Sequence, residues 1–99
     1  MNEKFTQGEW FVEDFNAINT ADKNICRCIR MGMDAEETQA NAALIASAST
    51  LYKMLKLACH ELTIVADWCG ENGMKGDEQC YYNLVNAIQD VLKKARGEE

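Results

Sequence analysis

Two apolar stripes constrain what this chain can fold into more than anything else in it. Leu51, Leu55, Ala58, Leu62, Val65 and Cys69 recur in alternating steps of four and three. That is the period of a helix that packs against another helix along a seam. Tyr81, Leu84, Ile88, Val91 and Ala95 repeat the pattern further on, with Val85 and Leu92 widening it. The stripes predict helices over 50–69 and 77–96, each roughly 30 Å long at 1.5 Å per residue. Gly70 is the expected stop of the first and Asp77 the expected N-cap of the second. The glycine-rich stretch between them is too short for anything but a connector, so the two helices are expected to pair antiparallel.

Ahead of them the pattern changes. Trp10–Val12, Ala17–Thr20 and Ile25–Arg30 are short aromatic, β-branched or alternating runs. Turn-forming residues separate them, at Asp14-Phe15-Asn16 and Asp22-Lys23-Asn24. Three short strands with short links read as an antiparallel meander within residues 1–32. In the third run Ile25, Arg27 and Ile29 share one face, and Cys26, Cys28 and Arg30 the other. Asp34-Ala35-Glu36-Glu37 then carries the acid at N-cap and N3 that opens a helix. The alanine-rich run to Ala46 continues it, with Ala40, Ala43, Leu44 and Ala48 at helical spacing and Ser49 expected to cap the next helix. The expected fold is α+β: a three-stranded meander, a short helix over 34–48, and a long helical hairpin. At 99 residues the chain is expected to form one domain, 1–99.

Charge narrows the function classes. The net charge is −6 with a pI near 4.7, which disfavours direct nucleic-acid binding. No apolar run is long enough to span a bilayer. Met1-Asn2-Glu3-Lys4-Phe5 lacks a signal-peptide core, and five cysteines are an odd number. A cytoplasmic protein with reduced thiols and no membrane partner is therefore expected.

Candidate chemistry is sparse. Cys26 and Cys28 with Cys59 and Cys69, aided by His60 or Cys80, are the best metal set by residue type. Their C-x-C spacing is tighter than zinc sites use, and adjacent Cys59 and His60 diverge by about 100° on a helix. Packing is the stronger reading of these thiols, since a buried free cysteine behaves as a small hydrophobe. Nucleophilic catalysis by Cys59 and His60 has no supporting motif. Glu36 and Glu37 read as first-turn acids, and Glu61 and Asp67 as solvated ones. The loop 70–76 lacks the Gly-Lys-Ser/Thr ending of a phosphate loop. Neither a catalytic set nor a cofactor is expected, and the chain reads as a non-enzyme.

Contact residues are more plentiful. Trp10 and Phe11 must face opposite ways on a strand, and Tyr81 and Tyr82 diverge on a helix. With Trp68 they make more aromatic surface than a thin domain can cover. Arg27, Arg30, Lys53 and Lys56 are the cations available to an anionic ligand. Met54, Leu57, Ile64, Val85 and Leu92 are expected to form a second apolar strip, open to another copy in a homodimer or larger oligomer.

Phe5-Thr6-Gln7-Gly8-Glu9-Trp10 and Ala40-Asn41-Ala42-Ala43-Leu44-Ile45-Ala46-Ser47-Ala48-Ser49, followed by Leu51-Tyr52-Lys53-Met54-Leu55, are two blocks in a fixed order. They resemble a family of small uncharacterised proteins of tailed phages and prophages. Members open on Phe-Thr-Pro-Gly-Pro-Trp and carry an Ala-Asn-Ala-x-Leu-Ile-Ala-Ala-Ala-Pro segment. The match covers roughly residues 5–60. Gln7, Glu9 and Ser49 stand where the family has proline, and Cys26 where alanine is common. The resemblance implies phage origin and brings no activity that can be carried over residue by residue. Small phage proteins of this type are often accessory, and some inhibit host defence. The expected function is thus binding without catalysis, an inhibitor that occludes a host defence protein. The alternatives are an oligomeric sponge for a nucleotide signal, and a structural or regulatory phage protein with no defence role.

Overall fold

A computed structural model describes residues 3–98. It is α+β, with a three-stranded antiparallel sheet followed by three helices, the last two packed as a hairpin. The described residues divide into two compact units: Phe5–Leu51, and 52–98 with Glu3 and Lys4.

In the first unit β1 (Phe11–Glu13), β2 (Ala17–Asn19) and β3 (Asn24–Arg27) lie in that order. Val12 faces Ile18, and Ile18 faces Cys26. An irregularity between Ile18 and Asn19 interrupts the second pairing. Strict alternation fails there, and Ile25 and Cys26 both pack against the core instead of parting to opposite faces. That core is Ile18 with Ala42 and Ala46 of α1 (Ala35–Ala46).

The expected opening of α1 is found: Asp34 Oδ1 accepts from the Glu37 backbone N–H at 2.7 Å. Its buried line is Thr38, Ala42 and Ala46, whereas Ala40, Ala43 and Leu44 are exposed. Alanine-rich helices offer several equivalent lines, and Thr38 is acceptable inside because its hydroxyl donates to the Asp34 carbonyl at 2.8 Å. The break falls at Ser47, whose carbonyl accepts from Leu51 N–H at 2.8 Å. Ser49 is not the cap. It is buried within α2 (Ala48–Glu71), and its hydroxyl donates to the Gly8 carbonyl at 3.3 Å.

In the second unit α2 and α3 (Lys75–Ala95) run antiparallel. The Cys59 thiol donates to the Val85 carbonyl, the Tyr82 hydroxyl bonds Asp67, and Glu78 sits against Gly70. Partners thus advance along one helix as they recede along the other. Both helices overrun the expected spans at their facing ends. α2 stops at Glu71 because Gly73, not Gly70, takes the left-handed conformation (φ 76°). The Met74 N–H then reaches the Cys69 carbonyl at 2.8 Å, and Gly73 N–H that of Gly70, which is a Schellman closure. α3 starts at Lys75, so Asp77 is a first-turn acid and not the cap.

The buried line of α2 is Tyr52, Cys59, Ala66 and Cys69, with Leu55 and Leu62 half-buried. On α3 it is Val85, Ile88 and Leu92. Val85 and Leu92, expected on an open strip, are instead inside the hairpin. Leu51, Ala58, Val65, Leu84, Val91 and Ala95, six of the eleven residues of the two expected stripes, are exposed.

Candidate functional site

A polar groove lies on the second unit. Its volume is about 740 Å³, and it is lined from α2 by Lys56, Cys59, His60 and Thr63, and from α3 by Gln89, Asp90 and Lys93 with the C-cap residue Arg96. Glu3 and Glu98 close one end. The C-terminal turn explains why Glu98 is there. Gly97 (φ 81°) ends α3 in a second Schellman closure, with Glu98 N–H on the Lys93 carbonyl at 2.9 Å. This turns the Glu98 carboxylate back onto Arg96, which grips it through Nε at 2.9 Å. Arg96 Nη1 also donates to the Tyr52 hydroxyl at 3.1 Å, and that hydroxyl donates to Glu3 at 3.3 Å. Lys56 Nζ completes the chain on Glu3 at 2.8 Å.

The charges at this end are therefore committed to each other. The Lys56 hydrogen bond holds the Glu3 carboxyl below its ordinary range, and Glu3 in turn raises the Lys56 ammonium. Arg96 does the same to Glu98, first by hydrogen bond and then by charge. Cys59 and His60 line the same groove, yet the Cys59 thiol is buried and turned to the Val85 carbonyl, while His60 is exposed. Burial, then Asp77 and Glu78, push the Cys69 thiol up. Among the described residues no three His, Cys, Asp or Glu side chains are grouped to hold a metal ion. Cys26 and Cys28 lie in the first unit and Cys59 and Cys69 in the second.

Of the four expected phosphate-binding cations, Lys56 alone lines the groove. Lys53 is exposed on α2, and Arg27 and Arg30 are exposed in the first unit. Trp10 is half-buried against the Ile18 core, with its indole N–H on the Thr6 carbonyl at 3.0 Å, and Phe11 is exposed. Tyr81 and Tyr82 are half-buried, and Asp67 holds Tyr82 by its hydroxyl. Trp68, Met54, Leu57 and Ile64 are exposed along α2.

Phe15, expected only as part of a turn, is a further exposed aromatic. Phe15 sits between β1 and β2 at φ 60°, ψ 33°, a left-handed conformation that bulky residues avoid. It is 81% exposed, and the Arg27 guanidinium stands 5.9 Å from its ring centroid. A large aromatic in the middle of a tight polar turn, Asp14-Phe15-Asn16, was the signal available.

Among the described residues no single helix is long and apolar enough to cross a membrane, and α1 and α2 reach that mark when counted together across their break. The model of one protein family, described as Salmonella phage P22 protein Y8K6, matches residues 1–99. No curated protein and no solved structure matches the chain.

Proposed function

We propose, for a chain that belongs to the Salmonella phage P22 protein Y8K6 family, an accessory role exercised by contact. In this reading it is not an enzyme. It binds a host protein in the host cytoplasm and blocks it, as an inhibitor of antiviral defence. The observation that carries the reading is the outer ridge of α2. Leu57, Ile64 and Trp68 are exposed there in steps of seven and four, one line on a helix. Tryptophan is among the residue types most enriched at protein-binding hot spots, and the exposed aliphatic side chains beside it add apolar contact area. Membership of a phage family supports a host-directed target.

Plating efficiency tests it. Phage are plated on strains that each carry one defence system, with and without the chain expressed. Restored plating on one such strain, lost with Leu57→Glu/Ile64→Glu at unchanged helicity, is the expected result. Equal plating on every strain, with or without the chain, removes the reading.

The groove favours a second reading, sequestration of a nucleotide signal. Its volume suits a small ligand, and His60 and Lys93 join Lys56 along it. Lys56 and Arg96 already answer Glu3 and Glu98, which is why protein contact leads. Stabilisation by a cyclic or ADP-ribose-type nucleotide in a thermal-shift screen would reverse that order.

A further inference from the structure

The helical hairpin uses its apolar stripes only in part. Seen from the line where α2 and α3 meet, the polar groove occupies one flank: Lys56 and His60 come from α2, and Lys93 from α3. At about 100° per residue, Met54, Ala58 and Val65 fall on the other side of the α2 contact line. Leu84, Ala87 and Val91 fall on the other side of the α3 line. Because the helices are antiparallel, both sets lie on one flank of the hairpin, opposite the groove. Met54 is 58% exposed, Val65 39%, Leu84 49% and Val91 53%.

We infer that this flank receives the same flank of a second copy, so that two hairpins close a four-helix bundle. Three observations select that occupant. The first is period. A stripe with steps of four and three is the seam of a multi-helix core, in which each helix turns both kinds of position inward. In one hairpin Leu55, Leu62, Cys69 and Ile88 are used, while Ala58, Val65, Leu84 and Val91 of the same stripes remain open. The second is charge. Leu84, Ala87 and Val91 on α3 are uncharged and face outward in a chain of net charge −6. Charge on the same lines stands at the margins, Asp77 seven residues before Leu84, Lys94 seven after Ala87 and Glu61 seven after Met54, so the flank is apolar between charged borders. The third is area. The open side chains offer roughly 450 Å² of apolar surface, about the apolar share of a stable interface of ~800 Å² per partner. A two-fold axis across the flank would set apolar surface against apolar surface, as an isologous dimer requires. The outer ridge of Leu57, Ile64 and Trp68 is a different line of α2 and stays free, so this inference does not depend on the host-binding reading.

Sedimentation equilibrium of the full chain over a dilution series tests the inference. The expected mass is twice 11.1 kDa at micromolar concentration. Leu84→Glu/Val91→Glu changes exposed side chains only. It should keep the far-ultraviolet circular dichroism and weaken the dimer by about a hundredfold or more. Leu57→Glu/Ile64→Glu should leave the mass unchanged. A wild-type chain that stays monomeric, including one that associates only with a foreign protein, overturns the inference. So does a dimer that survives Leu84→Glu/Val91→Glu or falls apart in Leu57→Glu/Ile64→Glu.

Discussion

Arg96 donates to the Tyr52 hydroxyl at 3.1 Å while its guanidinium is gripped by Glu98. The pair ties the base of α2 to the end of α3, and through Glu3 it ties in the N-terminal residues. Tyr52 is buried, so its hydroxyl cannot exchange these partners for bulk water. Tyr52→Phe is expected to cost about 1 kcal/mol of stability in chemical denaturation. No loss would mean that the network is decorative.

The same network sets an acid limit. The folded chain holds Glu3 and Glu98 below the ordinary carboxyl value of 4.5, chiefly through hydrogen bonds from Lys56 and Arg96. Stability linked to a depressed carboxyl is fully present above the unfolded value and is lost as pH falls through the lower folded one. Melting temperature should therefore drop below about pH 4.5, and Glu98→Gln should make that drop shallower. A Glu98→Gln curve parallel to wild type would contradict the assignment.

Phe15 is strained and exposed, so burial does not compensate its left-handed backbone. Phe15→Gly is expected to hold or raise stability, by up to about 1 kcal/mol. Phe15→Ala, which keeps the strain and loses the ring, should fall below it. If Phe15→Gly is the less stable of the two, the Arg27 contact outweighs the strain.

The thiols should separate by access. Cys80 is exposed, Cys26 and Cys28 are partly covered, and Cys59 and Cys69 are buried. In dilute native protein a thiol reagent should label Cys80 first, and Cys69 among the last because burial also raises its thiol. Fast labelling of Cys59 or Cys69, read by peptide mass, would mean that the hairpin opens readily.

Much of the fold was legible because periodicity survives without partners. Short β-forming runs between turn residues marked the meander, although the alternation expected of the third run fails, and steps of four and three marked the hairpin. Which line of each helix turns inward was not legible. Tyr52, Cys59 and Ala66 rank below Leu51, Ala58 and Val65 as a stripe, yet they are the buried set. Tyr52 is satisfied inside by Glu3 and Arg96, two residues from opposite ends of the chain, and local pattern does not carry such a partnership. Helix ends failed for a similar reason. Gly70, Gly73 and Gly76 compete as stops, and the close approach of Glu78 to Gly70 is a tertiary fact. Among candidate site residues, the exposure of Trp68, Leu57 and Ile64 follows once the buried line is known. The groove, assembled from residues about thirty positions apart, does not.

In the proposed dimer the open half of the helical stripes becomes contact surface. Methyl-resolved NMR of Val65, Leu84 and Val91 across a dilution series tests it most directly. These methyls should shift with concentration while those of Leu57 and Ile64 hold still. Methyl signals of Val65, Leu84 and Val91 that do not move from dilute to concentrated protein would contradict it.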